Sequence, residues 1–254
     1  PPTPPTAPEA RAPLLRFIHG KRFPKNPGRL SRGDAALKPI QIAALALLSP
    51  SASASTVVGP AFYNTDQTWT FAGSPYYVRG AILVSANLTI GPGVDVFFDG
   101  PHSILIFGGL HALGNLSAPV RFASNNTVTV PQWGSLTFQG TIYDSEVLNA
   151  SVDRPTVAFE FQQPSANITV SDVAVTRAET YGLRAAYSRA NIALYNFLVE
   201  DSANGALIDN SSNVRMTAYR TANLTDPGEF ALELVTVESS DFRSLDFPGS
   251  RIQV

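Results

Sequence analysis

The sequence contains no cysteine. That excludes disulfides, thiol nucleophiles and cysteine metal sites together, so an exported form of this chain must be held by its backbone ladder and its core alone. Lysine is missing after Lys38, which leaves arginine as the strong cation of the body. Residues 1–56 hold eight Lys and Arg against Glu9 and Asp34, a net of +6, whereas residues 57–254 hold ten against eighteen, a net of −8. Such an acidic body lacks the basic patch with interleaved aromatics that a nucleic-acid surface needs, and no nucleic-acid partner is expected. Histidine is scarce too: His19, His102 and His111 stand in unrelated contexts without the paired spacing of metal ligands. No apolar run reaches the ~20 residues that span a bilayer, so no membrane span is expected.

What is present falls into three parts. Residues 1–29 are rich in proline and basic residues, show no period and read as a disordered leader. No methionine opens the sequence, and Met216 is the only one in it; a translation start near Leu30 and a piece of a longer chain are the two readings. Residues 30–56 resemble a secretory signal cleaved near Ala54, a short buried helix being the other reading. Arg32 and Lys38 precede the apolar run Ile40–Leu48, and Ala52-Ser53-Ala54 supplies the small residues that a signal peptidase reads. The remainder, residues 57–254, is expected to form one all-β domain exposed outside the cell.

That domain nearly repeats itself. Asn167–Val173, Asn191–Phe197, Asn213–Tyr219 and Thr236–Phe242 keep one pattern at steps of 24, 22 and 23 residues, which points to a solenoid. Ile168, Ile192, Val214 and Val237 form one expected column. Val170, Leu194 and Met216 form a second two residues on, broken by Ser239 in the last coil, as a strand with one inward face requires. Val173, Phe197, Tyr219 and Phe242 form a third, which would stack aromatics between coils. Just before it, Asp172, Asn196, Ala218 and Asp241 suit a sharp bend, because Asp and Asn tolerate left-handed backbone angles. Gly182–Tyr187, Gly205–Asp209 and Phe230–Val235 supply a further strand per coil. Three short strands per turn of about 23 residues describe a right-handed parallel β-helix. About eight coils would make it close to 40 Å long.

Residues 63–140 carry strand-like segments punctuated by turns. Pro92-Gly93 signals a type II turn, and Gly108-Gly109 and Gly114 mark places where the backbone turns or approaches closely. Trp69 and Trp133 read as core or capping residues rather than sugar platforms. Residues 141–156 show no clear period and read as a loop excursion from the stack. Seven sequons stand at Asn87, Asn115, Asn125, Asn149, Asn167, Asn210 and Asn223, where chance gives roughly two or three, and they suggest a glycosylated exterior. Bends that favour Asn, Ser and Thr account for some of them. Arg251–Val254 reads as the start of a new strand, so an open coil edge is expected there, to be met by a cap, more chain or a second copy.

The run through Thr68-Trp69, Ser74–Val78, Leu83-Val84, Asn87–Val94, Val96–Phe98, Ile104–Gly114, Pro119–Phe122 and Trp133–Phe138 resembles the opening coils of secreted and surface β-helix proteins of the pectate-lyase-like superfamily. The resemblance implies the fold more than the function. Relatives include enzymes that cut acidic polysaccharides, but the hydrolases' Gly-His-Gly is absent, and Arg251-Ile252-Gln253 lacks the lysine of their Arg-Ile-Lys. The lyases bind calcium through several carboxylates and use an arginine as base; the nearest candidates are Asp209, Glu233 and Arg184. Counted from Gly205 and Phe230, Asp209 falls opposite Leu234, and a one-residue slip is needed to face Glu233.

The expectation is a structural β-helix without catalysis or cofactor, binding glycans or assembling with its own copies. The alternative is a polysaccharide lyase or glycosidase, the lyase alone needing calcium. A cleft with three or more carboxylates and an arginine would favour the enzyme.

Overall fold

The computed structural model describes residues 55–125, 132–225, 230–248 and 251–253. The leader, nearly all of the signal-like segment and His19 lie outside the described residues. From Thr56 the chain winds as a parallel β-helix of about eight turns. Every pairing between its strands is parallel.

Two sheets wrap one core. The first comprises nine strands that begin with Ala61–Tyr63, Ile82–Val84 and Ile104–Ile106. It continues through Leu136–Gln139, Val157–Gln162, Tyr181–Ala186, Asn204–Asp209 and Phe230–Val235 to Arg251–Gln253. The other is bent. In the first three coils its two halves are separate strands joined by turns, such as Asn87–Ile90 and Asp95–Phe98 around Pro92-Gly93, where Gly93 holds φ 71°. In the middle coils the halves fuse into nine-residue strands, Ser145–Asp153, Ile168–Thr176 and Ile192–Glu200, each bent at one residue of positive φ: Asn149, Asp172 and Asn196.

This bend explains where the sequence pattern breaks. Across one left-handed residue the alternation changes phase: Ile168 and Val170 are buried before Asp172, and Val173 and Val175 after it. Ser145–Asp153 follows the same rule, with Ser145 and Val147 buried before Asn149 and Ala150 and Val152 after it. The expected excursion at 141–156 is therefore mostly a ladder strand, hidden from a strict two-residue count by the phase change at Asn149.

The first column holds, Ile168 pairing with Ile192 and Ile192 with Val214, and so does the second, Val170 with Leu194 and Leu194 with Met216. The fourth repeat does not. Phe242 pairs with Met216, so it fills the second column where Ser239 was expected to interrupt it. Ser240 rather than Val237 stands by Val214, whose N–H its hydroxyl accepts at 3.2 Å. Asp241 lies in a strand, and Ser244, at φ 52°, takes the bend. The cause is length: the step from Ala206 to Leu232 is 26 residues, against 22 from Ile192 to Val214. The aromatic stack holds at Phe197–Tyr219, ring centres 6.0 Å apart, and is continued by Phe247 at 5.4 Å from Tyr219 instead of by Phe242.

Both tryptophans are core. Trp133 is fully buried, stacks on Phe98 with ring centres 4.1 Å apart, and donates from Nε1 to the Asp153 carbonyl. Trp69 stacks on Tyr76 at 4.7 Å. Close approach governs Gly108, where an added Cβ would run into the Ala86 carbonyl. Buried serines tie the turns of neighbouring coils: Ser202 Oγ accepts the Ala178 N–H and donates to the Glu200 carbonyl, and Ser211 does the same for Ser188 N–H and the Asp209 carbonyl. Among the described residues no helix is long and apolar enough to cross a membrane.

Candidate functional site

On the nine-stranded sheet, alternation sends Phe159, Phe161, Leu183 and Ala185 into the core and turns Glu160, Gln162, Arg184 and Ala186 outward. Parallel register stacks these outward positions. Thr137 lies beside Glu160 and Glu160 beside Arg184, while Gln139 lies beside Gln162 and Gln162 beside Ala186. Arg184 Nη1 approaches Glu160 Oε1 at 3.5 Å, and Thr137 Oγ1 donates to Glu160 Oε2 at 3.4 Å. Thr137 is placed in turn by Ser135, the two hydroxyls being 2.6 Å apart.

The corner that follows raises one rim. Gln163 and Tyr187 hold φ 50° and 55°, which turns the chain sharply, and Tyr187 stays 54% exposed. Ala186 is too small to fill the space beside it. The result is a groove of about 280 Å³ lined by Gln139, Glu160, Gln162, Gln163, Arg184, Ala186 and Tyr187. Among the described residues, the three glutamine amides make no hydrogen bond to the protein.

The lining presents hydrogen-bonding groups and one ring face. Each free amide offers donor and acceptor together, the guanidinium offers a fork of donors, and Tyr187 offers an exposed ring face with a hydroxyl. Most glycosidases use two carboxyl groups about 5–9.5 Å apart across the bond. Glu160 is the groove's single carboxylate, and the Arg184 charge and Thr137 hydroxyl already occupy it.

The sequence candidates are only partly brought together. Arg184 belongs to the groove. Asp209 pairs with Val235 instead of Leu234, and Glu233 pairs with Leu207, so the two carboxylates are out of register by two residues and sit on different outward columns. Leu207 separates Arg184 from Glu233. Glu160 was not singled out from the sequence, although its 24-residue step to Arg184 matches the coil period. Among the described residues no group of three or more His, Cys, Asp and Glu converges as a metal site; His102 and His111 are half-buried and belong to separate strands and turns.

A second hollow, of about 320 Å³, follows the bent strands past Asn149, Asp172 and Asn196 to Arg220. There Asn196 Nδ2 and Ser171 Oγ donate to Asp172, and these bonds, the Asn196 one first, hold its carboxyl below the usual range. Arg220 donates to Asn196 Oδ1 at 3.3 Å. Of the sequon asparagines, Asn115, Asn125, Asn167, Asn210 and Asn223 are exposed, and Asn87 and Asn149 are half-buried.

No protein-family model matches the chain, and no curated protein or solved structure is significantly similar to it. The class that this fold defines is the parallel β-solenoid.

Proposed function

We propose that this chain is a secreted or cell-surface structural β-helix, of the pectate-lyase-like kind, that binds a neutral glycan on its nine-stranded sheet without cleaving it. The groove at Glu160 and Arg184 carries the reading. Three unpartnered glutamine amides and an exposed tyrosine surround one ion pair whose charges cancel, which suits hydroxyl groups better than a uronate or sulfate. The exposed sequons support an extracellular, glycosylated setting, and the ladder of buried serines supports a fold that stands without disulfides.

Titration of the protein against a panel of neutral and acidic polysaccharides, with and without calcium, tests the reading. Neutral glycans are expected to bind, and Gln162→Ala with Tyr187→Ala is expected to weaken them at least about tenfold. Preference for acidic glycans, or binding untouched by these variants, would overturn the glycan site. New reducing ends or unsaturated products, lost in Glu160→Gln, would favour the enzyme instead.

A further inference from the structure

The outward column that carries Glu160 changes character toward the first coil. From Glu160 it runs through Thr137 to Leu105, Leu83 and Phe62. Leu83 and Leu105 are half-buried, and Phe62 is 61% exposed although it lies on a sheet face. Two residues after Leu105, the half-buried Phe107 accepts a hydrogen bond on its carbonyl from Ile142 N–H at 3.1 Å, which seats the exposed Ile142 at the end of this strand. Only Gly140 and Thr141 separate Ile142 from Gln139, a wall of the glycan groove. From two coils past Leu105 onward, the equivalent outward positions are Glu160, Arg184 and, beyond Leu207, Glu233.

Single apolar side chains on a surface need no explanation, but a contiguous patch bordered by polar groups marks a contact. Here the patch and the groove share one sheet, with the buried Thr137 between Leu105 and Glu160, and Leu105 lies two strand spacings, about 10 Å, from Glu160. The body's net charge of −8 and its lack of lysine disfavour an anionic lipid surface as the occupant. A molecule that is polar at one end and apolar at the other matches both halves at once.

We infer that the sheet takes an amphiphile: a neutral glycan head in the Gln139–Gln162–Tyr187 groove, with its alkyl or acyl chain lying along Ile142, Phe107, Leu105 and Leu83 toward Phe62. The inference rests on the glycan reading above and adds the apolar half of the ligand.

Calorimetric titration with paired methyl and octyl glycosides of glucose, maltose, galactose and N-acetylglucosamine, kept below micelle formation, tests it. At least one octyl glycoside should bind about tenfold or more tightly than its methyl partner, because partial burial of the chain adds to the head's contacts. Phe62→Ser and Ile142→Ser, both at more than half-exposed positions, should abolish that difference while leaving methyl glycoside binding unchanged. Equal binding of methyl and octyl forms would overturn the amphiphile and leave the glycan reading standing. Equal binding of an octyl oligoethylene glycol and the octyl glycosides would overturn both, because the head would then not be read. Concentration-dependent dimers in sedimentation that Phe62→Ser dissolves, with no preference for octyl glycosides, would assign the patch to a second copy and overturn the inference.

Discussion

Asn196 donates from Nδ2 to Asp172 Oδ1 at 2.8 Å, across 24 residues of sequence, at a corner where both residues hold left-handed backbone angles. The same side chains that tolerate the bend also link one coil to the next. Ala218 follows in this column at φ 56° with no side chain to offer. Ala218→Asn should therefore stabilise the protein by about 1 kcal/mol, through easier left-handed geometry and one more rung on the ladder. Asn196→Ala should cost about 1–2 kcal/mol. Urea unfolding of both variants checks the pair; destabilisation by Ala218→Asn would count against the ladder.

The serine ties separate two buried hydroxyls that look alike in sequence. Ser202 satisfies the Ala178 N–H, and its replacement by alanine leaves that buried donor bare, at a cost of about 1–3 kcal/mol. Ser188 is equally buried, but its hydroxyl has no protein partner. Ser188→Ala should fall within about 0.5 kcal/mol of the parent or improve on it. Equal losses at both sites in thermal unfolding would contradict the assignment.

Core and surface on one bent strand should differ sharply. Phe197 is fully buried between Phe159 and Tyr219, so Phe197→Ala should cost about 3–5 kcal/mol. Its neighbour Leu198 faces outward and is half-buried, and Leu198→Ala should cost about 1 kcal/mol or less. Matched denaturation curves would show whether the phase of this strand is correct.

Tyr219 predicts a pH effect. Burial pushes its phenol well above the ordinary value, and its hydroxyl donates to the Ala231 carbonyl at 2.8 Å. In the unfolded chain this phenol ionises near pH 10, while in the fold it stays protonated. Its contribution is thus fully present below about pH 10 and is lost as pH rises from there toward the folded value. Tyr219→Phe should flatten the alkaline fall in stability by about 1.4 kcal/mol per pH unit. Parallel pH profiles of parent and variant would refute this, and Tyr63, raised chiefly by burial, leaves the variant some residual slope.

How legible all this was depended on whether a feature repeats. Ile168, Ile192 and Val214 recur at the coil period, and each strand must turn one face inward, so their column follows from periodicity alone. Ser145–Asp153 could not be read this way, because the left-handed Asn149 moves its apolar residues from odd to even positions. The fourth repeat failed for a different reason: Thr236–Phe242 imitates the pattern, but extra residues before Phe230 shift its register by three.

The sequence by itself determined the period, the alternation and hence the solenoid, because these are properties of single strands and their spacing. It also showed that cysteine could take no part. Only the tertiary structure decided that Glu160, Arg184 and Gln139 share one groove while Asp209 and Glu233 do not meet. Neighbours on a coil face are set by register, and register is fixed by the lengths of the turns between strands, where the sequence carries no repeating signal.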